Sequence, residues 1–560
     1  MHKSQITNLQ LHIAHRISHI VLLFFFFISS TFAAIDEKPK LVVAITIDQF
    51  PQNFLEKFRP YFGKGGFNVL LERGAVFTNA QYQHAFNETG PGHSAIYSGC
   101  YGNRNGIVMN NWYDKSLAKR VNCVEDLSVK NFYSSRDGRS PKNNIAYTVS
   151  DMLRLSNNFQ SKVIGISVKD RGAILPAGKF GNNAYWMDDS LMTSSTYYGD
   201  SLPEWVKNFN AQKNIDAYFG REWKKILPEK AYTLCDDDSA NYESDEDGLG
   251  RTFPHLIQGK ENIKKSKSFY NAFLISPFAS EILLAFAQEA IQKEELGKRG
   301  VTDMLCISFS ANDYIGHTYG MHSQEVMDVT IRTDKMLEEL LLFLEKEIGL
   351  NNCILTLTAD HGATPVPEYI KNKYPNADAG KSGVKELQTK AEQVLSGKFG
   401  ALSGATKWID NIVDYNIYIS ENVSAAKNIS VNEAAIVLRD SLRNEKGIAE
   451  IITTQEIRNG TVYSSFSGNI EKSYFPQRSG DVIYILKPFF IRYAGDPGTH
   501  GNPYSYDAHV PLIFFGKGIA SKTSEEKCEP IDLAATLASL LGIELPPMSV
   551  GRVLEVRSKK

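Results

Sequence analysis

A threonine among small residues is the first position in this sequence that suggests chemistry. The segment HAFNETGPGHSAIYSG places Gly90, Pro91 and Gly92 after Thr89, which permits a tight turn into a helix. A helix start offers free N–H groups and the positive end of the dipole, so a phosphate is favoured beside a hydroxyl there. Threonine is also a good N-cap residue. This segment alone leaves a nucleophile and an N-cap both open.

Carboxylates and histidines recur in four other segments. These are AITIDQFP with Asp48, SANDYIGHTYG with Asp313 and His317, TLTADHGATPVP with Asp360 and His361, and GTHGNPYSYDAHVPLIFFG with His500 and His509. Each segment is weak evidence alone, because an Asp in a turn or an isolated His usually has a structural role. Together they supply the ligand types and number of a two-zinc site. Paired ions of that kind stabilise the attacking and leaving oxygens of an in-line displacement.

Apolar runs precede most of these residues and predict the elements that position them. The runs are LVVAITID, KVIGISV, DMLCISFS, CILTLTAD and VPLIFFG. Their continuity is typical of strands covered on both faces, and the spacing of apolar residues predicts a helix within 323–349. We therefore predict an α/β fold with a mostly parallel central sheet flanked by helices. Ligands bind at the carboxyl ends of strands in such sheets.

Two long segments interrupt this alternation, at about 190–270 and 365–480. The first is polar and aromatic and contains the acidic run CDDDSANYESDEDG. Calcium binding is one interpretation of that run, and a solvated loop is the favoured one. We interpret the second segment as a cap or lid built onto the core.

The N-terminus resembles a secretory signal. Residues 1–34 combine a basic, acid-free start, an apolar run from Ile20 and small residues at Ala33 and Ala34. The run is short for a membrane span, so we expect cleavage rather than a retained anchor. The catalytic domain would then comprise residues 35–560, in the periplasm or secreted.

Charge and cysteine content exclude other classes. The formal net charge is −2, and loss of Lys3 and Arg16 with the signal would make it −4, so no basic excess indicates a nucleic-acid partner. The six cysteines are too sparse for a disulfide scaffold. Cys100 with Cys123 is a possible bridge, whereas Cys306 and Cys353 lie in strand-like runs and are expected to be buried thiols.

The combination of these residues resembles the alkaline phosphatase superfamily, whose members place a Thr or Ser nucleophile on two zinc ions. The resemblance covers residues 40–550 in the same order. It implies that Asp48, Thr89, Asp360 and His361 hold one zinc, and that Asp313, His317 and His500 hold the other. His509 competes for the last place. His500 is preferred because its THG pattern matches the nucleotide pyrophosphatase/phosphodiesterase branch.

The segment SVKDRGAILPAG distinguishes branches of the superfamily. Lys169 and Arg171 follow a predicted strand two residues apart, so in an extended segment both would point to the same side. They are either a surface basic pair or donors to the free oxygens of a phosphate dianion. The segment resembles the phosphate-irrepressible alkaline phosphatases of the PafA type, in which a Lys, an Arg and an Asn contact the phosphoryl group. Asn110 in GIVMNNWYD matches that Asn, with Asn111 as the alternative.

These observations predict an exported zinc alkaline phosphatase that hydrolyses small phosphate monoesters through a phosphothreonine intermediate. The alternative is a phosphodiesterase or nucleotide pyrophosphatase on the same scaffold. A sulfatase would need a Cys or Ser in place of Thr89. A non-catalytic phosphate-binding or adhesion protein would need neither the nucleophile nor the metal ligands.

Overall fold

A computed structural model describes residues 38–212, 215–404, 406–493, 495 and 497–557. The expected signal peptide, residues 1–34, lies outside the described residues. Residues 40–560 form one compact unit. Within the described ranges, no single helix is long and apolar enough to cross a membrane, although two successive helices bent by 78° satisfy length and composition together.

The strands are given in chain order. They are β1 Leu41–Ile47, β2 Ala75–Gln81, β3 Asn111–Asp114, β4 Lys119–Asn122, β5 Glu125–Lys130, β6 Asp137–Arg139, β7 Val163–Ser167, β8 Asn183–Asp188, β9 Leu191–Thr193, β10 Arg221–Trp223, β11 His255–Ile257, β12 Asp303–Phe309, β13 Cys353–Thr358, β14 Gly380–Gly383, β15 Ile409–Val413, β16 Asn416–Ile419, β17 Ile448–Thr453, β18 Val482–Leu486, β19 Phe490–Tyr493, β20 His509–Gly516 and β21 Lys522–Ser524.

The α-helices are also given in chain order. They are α1 Asn53–Lys57, α2 Phe67–Arg73, α3 Thr89–Ser98, α4 Gly102–Asn105, α5 Val149–Leu155, α6 Asp170–Ala177, α7 Glu204–Gln212, α8 Lys267–Leu274, α9 Phe278–Lys293, α10 Ala311–Tyr319, α11 Gln324–Glu347, α12 Pro367–Lys373, α13 Val384–Phe399, α14 Glu421–Ala426, α15 Val431–Leu442, α16 Thr454–Asn459, α17 Ser467–Ser473, α18 Ser505–Ala508 and α19 Asp532–Leu541.

A nine-stranded sheet forms the centre of the fold, in the order β21-β2-β20-β13-β1-β12-β7-β8-β9. Strands β13, β1, β12, β7 and β8 are parallel to one another, whereas β20 is antiparallel to both of its neighbours. All residues of β1, β12 and β13 are buried, as their continuous apolar runs predict. The predicted mostly parallel α/β sheet is confirmed, with β20 inside it and β9 at one edge running antiparallel to their neighbours.

The register of the sheet brings several strand ends together. Ile47 pairs with Phe309 of β12, and Thr46 pairs with Thr358 of β13. Because these strands are parallel and start level, the loops that follow them leave the same edge of the sheet. Asp48, Asp313 and Asp360 are carried by those loops or by the helix that follows.

Helix α11 matches the helical pattern predicted within 323–349. The side chain of Ser323 accepts a hydrogen bond from the N–H of Val326, so this serine is the N-cap residue. The apolar side of α11 packs in the main core, with Val326, Met327 and Leu337 buried.

The segment expected to be a cap forms a second, smaller sheet. Strands β15, β16, β18 and β17 lie side by side and are antiparallel. Helices α13 and α15 pack beside them around a separate hydrophobic cluster, which includes Trp408, Leu438 and Tyr484. The expected limit at residue 480 falls two residues before β18, an inner strand of this sheet. The boundary therefore lies further along the chain than composition indicated.

The segment at about 190–270 packs on the main core, where Val206, Phe209 and Trp223 are buried. Its acidic run is only partly solvated, because Tyr242 and Glu243 are buried. The favoured interpretation of that run as a solvated loop is therefore wrong for these two residues.

All six cysteines are free thiols, so the possible Cys100–Cys123 bridge is not formed. Cys306 and Cys353 are buried in β12 and β13, as expected.

Candidate active site

Thr89 is the first residue of α3 and not its N-cap. The N-cap position belongs to Glu88, and no side chain caps this helix end. Thr89 is buried, and its Oγ1 accepts a hydrogen bond from Nη2 of Arg171 at 3.4 Å. The interpretation of Thr89 as an N-cap is therefore wrong, and its hydroxyl lies beside a cation at a helix start.

Gly92 lets α3 approach the loop that follows β13. A Cβ atom at this position would lie 2.2 Å from the carbonyl oxygen of Asp360, so no larger residue fits without movement of the backbone. This close packing brings the first turn of α3 next to the Asp360–His361 pair.

Three histidines converge on three carboxylates, each with the same ring nitrogen facing inwards. The Nδ1 atoms of His317, His361 and His500 lie 2.7–2.9 Å from backbone carbonyl oxygens. Because carbonyls only accept, each Nδ1 carries the proton and each Nε2 is left as a potential metal ligand. Nε2 of His317 and of His500 lie 3.3 and 3.4 Å from Oδ1 of Asp313.

The third histidine belongs to a second group of ligand atoms. Nε2 of His361 lies 3.4 Å from Oδ1 of Asp48 and 3.7 Å from Oδ2 of Asp360. The rings of His361 and His500 stack with centroids 3.6 Å apart, so the two groups adjoin. Potential ligand atoms lie within 4.8 Å of one another in two sets, Asp313 with His317 and His500, and Asp48 with Asp313 and His361.

Several of these buried atoms lack hydrogen bonds. Oδ1 of Asp48 and Nε2 of His361 are fully buried without one, whereas Oδ2 of Asp48 has the ammonium of Lys169 beside it at 2.7 Å. Such atoms are costly unless an ion or a donor satisfies them. The imidazole and carboxylate donors are those that Zn²⁺ prefers, so the residues present fit a pair of divalent ions.

Lys169 lies between the two ligand groups. Its Nζ is 2.7 Å from Oδ2 of Asp48 and also contacts Oδ2 of Asp313. Burial is the largest influence on Asp48 and raises its pKa, but Lys169 and His361 together lower it by more, so the net pKa is lowered. Burial lowers the pKa of His361, yet Asp360 and Asp48 raise it to about 9. Lys169 thus supplies positive charge between the two carboxylates.

Lys169 and Arg171 do not lie in an extended segment. Lys169 is the N-cap residue of α6, which begins at Asp170, so Arg171 is already helical. The period-two argument for their shared direction is therefore wrong. Their side chains still reach one region, because Lys169 contacts Asp48 and Arg171 contacts Thr89.

Asn110 forms hydrogen bonds with the residues before and after Thr89. Its backbone N–H donates to Oε2 of Glu88 at 2.8 Å, and its Oδ1 accepts from the N–H of Gly90 at 2.7 Å. Because Oδ1 is engaged, the amide Nδ2 is the group that remains for a ligand. Asn111 instead pairs with Asn122 in the β3–β4 hairpin, through a side-chain bond of 3.3 Å.

His509 lies outside the cluster of metal-binding side chains. His509 is the first residue of β20, and its Nε2 lies 2.7 Å from the carbonyl oxygen of Thr78. The structure therefore brings His500, and not His509, next to Asp313.

Sequence reasoning missed three residues that support the site. Gln49 has a φ of 56°, and its Nε2 donates to Oδ1 of Asp313 at 2.8 Å. Nδ1 of His93 lies 2.9 Å from the carbonyl oxygen of Thr89 and 3.1 Å from Oδ2 of Asp360. Glu88, described above, is the third. The only available signal was their position next to, or within one turn of, a predicted ligand or nucleophile.

The pKa of Glu88 is shifted into the neutral range. Burial and repulsion from Asp414 raise the pKa of this carboxyl to about 7, against the hydrogen bond from Asn110 and the charges of Arg492 and Arg171. Asp414 and Arg492 form an ion pair of 2.8 Å in the small-sheet region. The segment before Thr89 is thereby coupled electrostatically to the cap.

A comparison with known protein families identifies this arrangement. The family "type I phosphodiesterase / nucleotide pyrophosphatase" matches residues 42–503. The chain is 37% identical over 533 residues to alkaline phosphatase PhoV of Synechococcus elongatus, covering 94% of both chains. It is 32% identical over 531 residues to alkaline phosphatase PafA of Elizabethkingia meningoseptica, covering 92% of this chain and 94% of that protein.

A crystal structure of wild-type alkaline phosphatase PafA has the same fold. It matches with a TM-score of 0.87 and 31% identity, covering 93% of this chain and 99% of that one. A solved PafA variant carries substitutions of one Thr, one Asn, one Lys and one Arg, with a TM-score of 0.86.

The fold and the similarity place the chain in the alkaline phosphatase superfamily. It belongs to the type I phosphodiesterase / nucleotide pyrophosphatase family. Within it the chain is a PafA-like protein and a phosphatase.

Proposed function

We propose that the chain is an exported, zinc-dependent alkaline phosphatase that hydrolyses phosphate monoesters through a phosphothreonine intermediate. The observation that carries this proposal is the position of the Thr89 hydroxyl at the start of α3, 3.4 Å from Arg171. On helix α10 and the adjoining loops, three histidines present Nε2 to buried carboxylates. The names of the relatives PhoV and PafA support the same activity.

In this proposal two zinc ions are held by this chain. Asp48, Thr89, Asp360 and His361 would hold one, and Asp313, His317 and His500 the other. When bound, zinc supplies Lewis acidity, which lowers the pKa of a coordinated hydroxyl and stabilises charge on reacting oxygens. Oδ1 of Asp48 and Nε2 of His361, which are buried without a hydrogen bond, support this assignment.

Thr89 is the proposed nucleophile. Its Oγ1 forms a bond to phosphorus as it loses its proton, and the bond from phosphorus to the ester oxygen breaks, which releases the alcohol. Water then attacks the phosphothreonine, the bond between phosphorus and Oγ1 breaks, and phosphate leaves as the hydroxyl is restored. Free N–H groups at the start of α3 favour the phosphate charge throughout.

Lys169, Arg171 and Asn110 are the proposed contacts to the free phosphoryl oxygens. Cations on Asp48 and Asp313 would neutralise the charge that holds Lys169, so its ammonium becomes available as a donor. The substituted Thr and Asn of the PafA variant are 21 positions apart and its Lys and Arg two apart. Thr89 to Asn110 and Lys169 to Arg171 have the same separations.

The alternative function is a phosphodiesterase or nucleotide pyrophosphatase, which the description of the matching family favours. A diester carries less charge and has a second substituent in place of one free oxygen. The buried Lys169 and the partly exposed Arg171, which contacts Thr89, are therefore better matched to a dianion. Thr89 also argues against a sulfatase, which would need a Cys or Ser there.

The decisive experiment compares two substrates on purified, zinc-loaded protein. We expect kcat/KM for an aryl phosphate monoester to exceed that for the matching diester, and chelation to abolish both activities until zinc is restored. A higher value for the diester would support the alternative. Full zinc occupancy without hydrolysis of either would indicate a phosphate-binding protein.

A further inference from the structure

The ammonium group of Lys169 lies over the aromatic ring of Tyr314, in α10. Nζ of Lys169 is 5.1 Å from the centre of this ring. A cation within about 6 Å of an aromatic centroid is attracted by the negative face of the ring, most strongly where water is excluded. Because Lys169 is buried, the ring of Tyr314 is an attractive partner for its charge.

Buried hydrogen bonds hold the start of α10 against the segment that carries Lys169. The backbone N–H of Lys169 donates to Oγ of Ser167 at 3.1 Å, and Oγ of Ser167 lies 3.1 Å from Oγ of Ser310. Ser310 is the N-cap residue of α10, and Tyr314 lies about one turn further along this helix. The position of the ring relative to the Lys169 backbone is therefore fixed without the ion pairs of the lysine.

The other partners of the Lys169 ammonium are carboxylates that are candidate metal ligands. Nζ lies 2.7 Å from Oδ2 of Asp48 and also contacts Oδ2 of Asp313. Cations held by these two carboxylates would cancel the attraction that they exert on Lys169. Zinc is bound by sulfur, nitrogen and carboxylate oxygen atoms, so the face of the Tyr314 ring stays available to the ammonium.

We propose that Tyr314 is a positioning residue, which keeps the Lys169 ammonium at the phosphoryl site when Asp48 and Asp313 hold metal. Lys169, Arg171 and Tyr314 line one cavity of about 180 Å³, so the ring belongs to the region in which the two cations meet. The inference rests on the proposed function, in which Lys169 contacts a free phosphoryl oxygen. Tyr314 acts through Lys169, and it thereby sustains the preference for monoesters.

Packing against the core is the competing role for Tyr314. The residue is partly buried and packs against the main hydrophobic cluster. A packing role depends on the shape of the ring, whereas attraction of a cation depends on the electron density of its face. Fluorine atoms on the ring withdraw that density with little change of shape, so fluorination separates the two roles.

The test compares zinc-loaded wild type, Tyr314→Phe, Tyr314→Phe with a trifluorinated ring, and Tyr314→Leu. The measurements are kcat/KM for an aryl phosphate monoester and the matching diester, and Kd for inorganic phosphate by calorimetry. Tyr314→Phe, which keeps the ring, should retain the wild-type preference. The fluorinated ring and Tyr314→Leu should lower kcat/KM for the monoester about five- to thirtyfold, with a much smaller loss on the diester. Phosphate binding should weaken in the same order.

The same ring series in a Lys169→Ala background is the control. If Tyr314 acts through Lys169, fluorination should have no further effect there. Equal values for the fluorinated and unfluorinated rings, or equal losses in both backgrounds, would overturn the proposal in favour of packing. The fluorinated ring keeps the shape of phenylalanine, so the test does not depend on the folding of Tyr314→Leu.

Failure of the proposed function would give a different result. A wild type that hydrolyses the monoester no faster than the diester would contradict the proposed monoesterase. The dependence of the phosphate Kd on ring fluorination would still test whether Tyr314 holds Lys169, because that measurement needs no turnover.

Discussion

Single atoms distinguish the candidate catalytic residues from their sequence neighbours. Asn110 engages its Oδ1 with Gly90 next to Thr89, whereas Asn111 pairs inside a hairpin. His500 presents Nε2 to Asp313, whereas the same atom of His509 faces a carbonyl oxygen. Two residues of the same type therefore differ in function because different polar atoms of their side chains already have hydrogen-bond partners.

Replacement of Thr89 tests the nucleophile. Thr89→Ala should retain the fold and most of the zinc but lose nearly all monoesterase activity, because no other hydroxyl takes part in the covalent step. Thr89→Ser, the matched control, should keep part of the activity. The measurements are kcat and zinc content. Turnover of the alanine variant near the wild-type rate would contradict the assignment.

Replacement of both Lys169 and Arg171 tests the preference for monoesters. Charge-assisted hydrogen bonds contribute about 1.5–3 kcal/mol each, or roughly ten- to more than a hundredfold in rate if expressed in the transition state. A diester has one free oxygen fewer, so the Lys169→Ala, Arg171→Ala variant should lose much more kcat/KM on the monoester. An equal loss on both substrates would show that the pair serves only the fold or a general field.

At the scale of elements, the site is assembled where one edge of the central sheet meets the start of α3. Parallel strands β1, β12 and β13 deliver their following loops to that edge, and Gly92 allows α3 to pack against the loop after β13. The β3 segment then contributes Asn110, held by Glu88 and Gly90. The buried carboxylate of Glu88 is therefore one of two hydrogen-bonded links between the start of α3 and the segment before β3.

Glu88 tests this link between elements. Glu88→Met removes the acceptor for the N–H of Asn110 at similar volume, whereas Glu88→Gln keeps an acceptor. We expect Glu88→Met to weaken inhibition by inorganic phosphate about tenfold, as loss of a buried hydrogen bond of about 1.5 kcal/mol implies, while Glu88→Gln stays closer to the wild type.

The control is the Glu88→Met substitution made in a protein that already carries Asn110→Ala. If Glu88 acts through Asn110, Glu88→Met should add little to the loss already caused by Asn110→Ala. Additive losses would mean that Glu88 supports the fold independently of Asn110.

At the scale of the whole molecule, the buried carboxylates need a compensating positive charge both with and without bound metal. Asp48 and Asp313 are buried next to Lys169, which is 5% exposed. Removing one partner of a buried ion pair costs about 3–5 kcal/mol, because it leaves an unpaired charge. Lys169 can therefore stabilise the chain without metal, whereas bound zinc would take over that role.

Lys169→Ala tests this exchange of charge. The variant should lower the Tm of chelated protein clearly, and should change the Tm of zinc-loaded protein much less, since the metal then neutralises the carboxylates. Thermal unfolding with and without zinc measures both. An equal decrease in the two states would show that Lys169 packs with the core without compensating Asp48 and Asp313.

The order and type of the candidate site residues were predictable because they follow apolar runs that are long and continuous. Such runs specify buried parallel strands, and parallel strands place their following residues at one edge of the sheet. The mostly parallel sheet and the helix within 323–349 were predictable for the same reason. The antiparallel direction of β20 was not, because the strand pattern does not encode direction.

Only the tertiary structure decided which polar atoms meet. Helix α6 begins at Asp170, so Lys169 and Arg171 reach the site by a route that strand periodicity did not describe. Gln49 and His93 support the ligands through contacts with residues up to 267 positions away, and Glu243 lies in an acidic run that looked solvated. A sequence pattern indicates which residues within one segment are buried. Hydrogen bonds and buried charge depend on atoms brought from other segments by the packing of the whole chain.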